Sequence, residues 1–435
     1  MHDLNIEALA VVAACVVVWG VFSARLERVN VTAPIAFVVL GLAVTHDPLN
    51  LMHLNLNSST LRSVAELTLA LVLFSDASRV NVRALRAEVR LPVRLLAIGL
   101  PLTIGAGMVA ALAIFTGINI WVAALIGAIV APTDAALGAS ILGDERIPSA
   151  VRRLLNVESG LNDGIATPFV NLFLAGALSE EAISASGVSG AVVDLLVGAG
   201  VGVGVGVGGA FALRTAQSRG WSAPAFRPLA VLGLALFAYS AAVGAGGNGF
   251  VAAFSAGMAF GSMMPQDDPL TLGFTDDTGE LLSLLVWFAF GATMLVDGFE
   301  LAGWQDVVFA VLALTVVRMV PVAVSLIGSG LDRNTVAFIG WFGPRGLASV
   351  VFGLIAVDSL ARADADLVLA VVTVTVALSV VAHGLSAAPL ASRYGRYAAT
   401  KLAAEDPEHT SAPSLPTRSL AGDRLRASGR SAAST

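Results

Sequence analysis

The chain has 435 residues, of which 56% are hydrophobic and 13% charged, and its mean hydropathy is +0.83. Soluble proteins are typically about 45–50% apolar and about 25% charged, so charge this sparse cannot coat two or three soluble domains. A soluble multidomain protein and a largely disordered chain are both excluded. Continuous apolar runs of roughly 20 residues indicate membrane-spanning helices, not the alternating strands of an outer-membrane barrel.

The first run, from about Ala8 to Phe22, follows an acidic Met-His-Asp-Leu-Asn-Ile-Glu start. A signal peptide wants a positive start and a small-residue cleavage site, so this run is read as a retained first helix. Thirteen candidate spans follow in chain order: 7–23, 33–45, 64–78, 92–115, 118–142, 154–178, 188–213, 227–243, 248–263, 280–296, 303–328, 334–357 and 366–388. The second and third are short and Pro132 interrupts the fifth, so twelve and fourteen spans also fit. An all-α polytopic domain is expected over residues 1–395, followed by a polar tail over 396–435 that has no apolar periodicity beyond about Ala404. Such a tail is expected to be disordered.

Basic residues bias a loop toward the cytoplasm. With the N-terminus outside, 21 of the 25 Lys and Arg fall on the inner side, from Arg25 and Arg28 through Arg79–Arg94, Arg146–Arg153, Arg214–Arg227 and Arg333 to the tail. Arg62 and Arg362 fall outside, and Arg318 and Arg345 fall within spans. A multi-pass cell-membrane protein with its N-terminus out and its C-terminus in is expected. The loop over 264–280, carrying Asp267, Asp268, Asp276, Asp277 and Glu280, is acidic, but acids contribute little to orientation.

Several chemistries drop out. Cys15 is alone in an apolar run, and His2, His46, His53, His383 and His409 lack metal-ligand spacing. Lys401 is the single lysine and no Gly-x-x-x-x-Gly-Lys-Ser/Thr occurs, so a nucleotide-binding domain is not expected and transport would draw on an ion gradient. No nucleic-acid partner and no resident cofactor are expected. The run Gly198–Gly209 reads as close helix packing through small residues, not as a dinucleotide loop.

Ionisable groups inside a bilayer are costly and need a reason. Glu66, Asp76 and Asp194 lie alone or near span ends, where a satisfied polar contact is as good an explanation as a function. The sixth span is different: Asn156-Val-Glu-Ser-Gly-Leu-Asn-Asp-Gly-Ile-Ala-Thr-Pro168 puts Ser159 and Asp163 on one helical face and Glu158 and Asn162 on the adjoining one. Oxygen donors of this kind suit protons and hard monovalent cations. Span five carries Ala131-Pro-Thr-Asp-Ala-Ala-Leu-Gly138 and span twelve Gly340-Trp-Phe-Gly-Pro-Arg-Gly-Leu-Ala-Ser349. In each, a proline disrupts the helix, which is tolerated at depth where backbone lines a cavity or is buried in protein. Spans four to six and eleven to thirteen then form two oppositely oriented three-helix units, with broken middle helices at spans 5 and 12. Such inverted repeats bind substrate near the midplane.

At these residues the chain resembles the monovalent cation/proton antiporter-1 family of sodium/proton exchangers. Thr133-Asp134, Glu158-Ser159-Gly-Leu-Asn162-Asp163 and Gly343-Pro-Arg345-Gly carry the resemblance, and Phe74-Ser-Asp-Ala-Ser-Arg-Val-Asn-Val-Arg83 is similar to the family's third span. The resemblance implies a thirteen-helix homodimer that exchanges Na⁺, K⁺ or Li⁺ for H⁺ in the service of pH and cation homeostasis. Its ion-translocating core would span about 92–178 and 303–388, the remaining spans serving as scaffold among the lipids. It also implies that Asp163 binds the exchanged ion, with Ser159 and Thr133 as further cation ligands and Asp134 contributing oxygen or water contacts. Glu158 and Arg345 would form a structural ion pair. Asn162 occupies the position that an electrogenic relative fills with a second Asp, implying one-for-one, electroneutral exchange. Many members place Glu directly after the Phe of the third span, where this chain has Ser75 and then Asp76. Asp76 and Arg318 are further candidates. The rival classes are a cation channel or non-transporting sensor built on the same polar cluster, and an intramembrane aspartic protease, which the absence of Gly-x-Gly-Asp disfavours.

Overall fold

The computed structural model describes residues 6–27, 31–46, 59–79, 90–134, 137, 139–182, 186–264 and 269–405, and among them every regular element is helical. The chain opens with α1 (Ile6–Glu27), α2 (Ala33–Thr45), α3 (Ser59–Ser78) and α4 (Arg90–Ile114, with a π turn at Leu95–Gly99). Next come α5 (Ile120–Val130), α6 (Ala139–Leu142), α7 (Ser149–Ala182), α8 (Ser186–Ser218), α9 (Arg227–Gly244) and α10 (Gly249–Met263). A π turn at Phe290–Met294 joins α11 (Pro269–Ala289) to α12 (Leu295–Leu301). The last part comprises α13 (Trp304–Leu314), α14 (Val316–Ser325), α15 (Arg333–Trp341), α16 (Leu347–Ser359) and α17 (Arg362–Glu405). Among the described residues, six helical stretches are long and apolar enough to cross a bilayer, and shorter apolar helices accompany them. Val21, Leu196 and Phe211 are each more than 60% exposed, while Glu158, Arg318 and Arg345 are buried. Apolar side chains outward and charge inward is the distribution a lipid solvent selects.

Local chemistry explains where several helices start and stop. Asn119 accepts from Trp121 N at 2.7 Å to cap α5, and Pro132 has no N–H with which to continue it. Asp332 caps α15 by accepting from Asn334 N and Thr335 N, both at 3.0 Å, and α15 stops two residues short of the Gly343-Pro344 pair. The glycine run lies within α8, as expected of a packing stripe. A Cβ added at Gly198, Gly202 or Gly206 would stand 2.3–2.4 Å from the carbonyl oxygens of Asn248, Ala252 and Ala256, so glycine is what lets α8 and α10 touch backbone to backbone.

Four expectations change. The eleventh span is interrupted at Thr315, where φ −112° and ψ −94° leave the helical region between α13 and α14. The polar tail was expected from residue 396, yet α17 runs to Glu405. Tyr394 stacks on Phe338 with ring centroids 4.1 Å apart, and Tyr397 donates to Asp332 at 3.0 Å, which extends the helix past the span. The acidic loop is shorter than expected, because α11 begins at Pro269 and takes in Asp276, whose carboxylate pairs with Arg79 and accepts from Ser75. Asp194 is exposed on α8. Arg83, Arg86, Asp267, Asp268 and the tail from residue 406 lie outside the described residues.

Candidate ion-binding site

The two interrupted helices cross at their breaks. Asp134 N donates to the Pro344 carbonyl at 2.8 Å, and Asp134 Oδ2 accepts from Leu347 N at 3.0 Å. Asp134 therefore caps a helix to which it does not belong, setting an acid at the N-terminal, positive end of α16. The converse holds for Arg345. Its guanidinium donates to the carbonyls of Ala131 (3.1 Å), Gly343 (3.3 Å) and Ala313 (3.0 Å). Ala131 ends α5 and Ala313 precedes the Thr315 interruption, so the cation sits at two carbonyl-rich helix ends. Ser349 Oγ adds a bond to the Ile129 carbonyl at 2.7 Å.

Glycine makes this crossing sterically possible. A Cβ on Gly346 would lie 1.9 Å from Asp134 Cβ, and one on Gly343 would lie 2.7 Å from Arg318 Nε and 2.9 Å from Thr133 Cγ2. The sequence Gly343-Pro-Arg345-Gly thus supplies the break, the cation and the two close approaches.

Helix α7 brings the remaining groups to the crossing. Asn162 Nδ2 donates to Thr133 Oγ1 at 2.6 Å, and Ser159 Oγ shares a hydrogen bond with the same oxygen at 3.1 Å. Asp163 follows Ser159 by one helical turn on the same face. Thr133, Asp134, Ser159, Asn162 and Asp163 are all buried, at 1–9% exposure. Buried oxygens and an amide at a disrupted backbone form a donor set suited to a hard monovalent cation or a proton. Asn162 Oδ1 and Glu158 Oε2 carry no hydrogen bond among the described residues.

The expected ion pair is corrected. Glu158 pairs with Arg318, whose Nη1 lies 2.6 Å from Glu158 Oε1, and not with Arg345. Arg345 is drawn to the carbonyl ends of α5 and α13, whereas Arg318 sits on α14 just past the Thr315 interruption and reaches α7. The signal for Arg318 is its place in an apolar span, where a buried arginine needs an acid or a set of carbonyls to hold it.

Asp76 is half-buried on α3, and a Cβ on Gly160 would lie 3.7 Å from Asp76 Cβ, so α3 passes directly beside the Glu158–Asp163 segment. Glu66 lies further along α3 toward its N-terminal end, bonded to Arg62 at 2.8 Å and to Tyr239 at 3.0 Å. Arg62 also reaches Asp358 of α16. Neither Glu66 nor Asp194 joins the cluster.

Solved structures of similar fold are known. The structure of the sodium proton antiporter MjNhaP1 from Methanocaldococcus jannaschii at pH 8 is similar to this chain with a TM-score of 0.73 and 20% identity, covering 90% of this chain and 99% of that one. A structure of the same antiporter from an electron-microscopy map gives a TM-score of 0.72 at 19% identity, covering 90% and 98%. The family described as "Sodium/hydrogen exchanger, transmembrane" matches residues 11–393, nearly the whole length, and the chain belongs to that family of membrane transporters.

Proposed function

We propose that this protein exchanges one Na⁺, or K⁺ or Li⁺, for one H⁺ across the cell membrane, and that Asp163 is the carboxylate that carries either ion in turn. Family membership makes the reaction a cation/proton exchange. The identity of the carrier residue rests on the cluster at the crossing. Ser159 and Thr133 serve as oxygen ligands of the cation, Asn162 holds Thr133, and Asp134 fixes the crossing while presenting oxygen beside it. Glu158 and Arg318 form the structural ion pair, and Arg345 binds the carbonyls of the breaks. Asp76 faces the site from α3.

The observation that carries this reading is the Thr133 hydroxyl. Bonded to both Ser159 and Asn162, it joins the break of one helix to the acid-bearing face of another. A carboxylate one turn beyond, in a buried and water-poor setting, binds a proton or a cation but not both. That is the property antiport requires.

In this reading residues 92–178 and 303–388 move as the ion-carrying core and the other helices form a scaffold in the lipid, in a thirteen-span homodimer with its N-terminus outside and its C-terminus in the cytoplasm. The physiological role is pH and cation homeostasis. Counter-flow in proteoliposomes tests the reading. Saturable uptake of ²²Na⁺ is expected in two modes: against internal unlabelled Na⁺ with no proton movement, and, without internal Na⁺, against outward-moving protons. Non-saturating flux without counter-ion would indicate a channel, and no flux a sensor.

A further inference from the structure

One face of α17 grips the break between α15 and α16. Ser379, His383 and Ser386 recur at helical spacing on that face. Arg345 N donates to Ser379 Oγ at 2.7 Å, inside the break. His383 Nε2 lies 2.9 Å from the carbonyl of Trp341, the last residue of α15. Trp341 Nε1 in turn donates to Ser386 Oγ at 2.9 Å, and the indole and imidazole rings lie 5.2 Å apart.

The proton on Nε2 follows from chemistry. A carbonyl can only accept, so Nε2 must carry the hydrogen that bonds Trp341. Nδ1 lies 3.1 Å from the Ser379 hydroxyl and 2.8 Å from the Ser379 carbonyl. It accepts from the first when neutral and donates to the second when protonated, and the Trp341 bond is the same in both states. Ser379 and His383 are 0% and 3% exposed, so these bonds lie away from bulk solvent.

These contacts hold two main-chain groups of the break: Ser379 takes the Arg345 N–H, and His383 adds a second bond to the Trp341 C=O, which also accepts from Gly343 N at 2.8 Å. The path from there to the ion is short. Arg345 follows Pro344, whose carbonyl holds Asp134 N, and Asp134 follows Thr133, which bonds Ser159 and Asn162. We propose that Ser379 and His383 are positioning residues for cation binding: they fix the α15–α16 break and, through Pro344 and Asp134, set Thr133 against Ser159. The proposal rests on the reading that Thr133, Ser159 and Asp163 bind the cation.

The test measures cation-dependent exchange in everted vesicles for the wild type, His383→Ala, His383→Gln, Ser379→Ala and Asp163→Asn, each normalised to folded protein in the membrane. His383→Ala and Ser379→Ala are expected to raise the apparent KM for the cation roughly fivefold to tenfold, the factor that accompanies one lost hydrogen bond, with maximal rates near wild type. His383→Gln restores a side-chain N–H toward Trp341 and is expected to recover most of the affinity. An unchanged KM in both alanine variants, or a fall in maximal rate alone that glutamine does not repair, would overturn the proposal. Should His383→Ala fail to accumulate, Ser379→Ala and His383→Gln decide by the same criterion. Turnover by Asp163→Asn would overturn the ion-site reading instead, whereas a silent Asp163→Asn beside an unchanged KM in the alanine variants would overturn the positioning role alone.

Discussion

Arg318 Nη1 stands 2.6 Å from Glu158 Oε1, and each side chain is only 3% exposed. The pair ties α14 to α7 beside the crossing, with Gly343 lying against the guanidinium. Removing one member of a buried pair leaves the other charge uncompensated, a cost of about 3–5 kcal/mol. Glu158→Gln and Arg318→Gln should each lower the thermal unfolding midpoint in detergent, and the double variant should unfold higher than either single. Pairing Glu158→Gln with Arg345→Gln should give no such recovery, because Arg345 is held by carbonyls. A double-mutant cycle in which the two arginines behave alike would contradict the assignment.

Gly346 precedes α16 with φ −136° and ψ −149°, so the demand for glycine there is one of space, not of backbone conformation. Alanine would put its Cβ 1.9 Å from Asp134 Cβ and push Asp134 off the Leu347 N–H. Overpacking of this kind costs about 1–3 kcal/mol, and the displaced cap would add to it. Gly346→Ala should fold less stably and exchange poorly. Wild-type exchange from Gly346→Ala would mean that the breaks do not cross this closely.

The α8 glycines divide into two sets. Gly202 meets the Ala252 carbonyl at 2.3 Å from its would-be Cβ, whereas Gly204 has nothing within 4 Å. Gly202→Ala should destabilise by about 1–3 kcal/mol. Gly204→Ala should be neutral, or stabilising by up to about 1 kcal/mol through helix propensity. Thermal unfolding of the two variants checks the register of α8 on α10, which equal effects would contradict.

Much of this arrangement was legible from residue type and spacing. The Ser159/Asp163 and Glu158/Asn162 faces follow from helical period alone, and Pro132 and Pro344 mark both breaks. What spacing could not give was which charge meets which. Glu158 had two arginines to choose from, and the choice depends on Thr315 interrupting α13–α14, a residue with no turn signature. The role of His383 was also hidden, because a lone histidine in an apolar span shows its purpose only when the Trp341 carbonyl is seen beside it. The length of α17 escaped for the same reason: Tyr397 reads as polar tail until Asp332 is placed against it, just beyond Tyr394 on Phe338.

The proposed one-for-one stoichiometry rests on the occupation of the other acids. Arg318 engages Glu158, the Leu347 N–H engages Asp134, and Asn162 is an amide that takes up no second proton. One carboxylate changing its load gives one H⁺ per cation. Moving a net charge would be worth about 2.3 kcal/mol per 100 mV, so an electroneutral cycle should run at the same rate with or without a valinomycin-clamped potential in proteoliposomes. Acceleration by the potential would mean that net charge moves with each cation and would overturn the one-for-one reading.

The central claim is that Asp163 alternates between a proton and a cation, and Asp163→Asn tests it most directly. An amide preserves the size of the side chain but can hold neither ion in this way. The variant should reach the membrane, purify as a folded protein, and show no Na⁺-, K⁺- or Li⁺-dependent dequenching of a pH dye in everted vesicles. Exchange at the wild-type rate by folded Asp163→Asn would contradict the account.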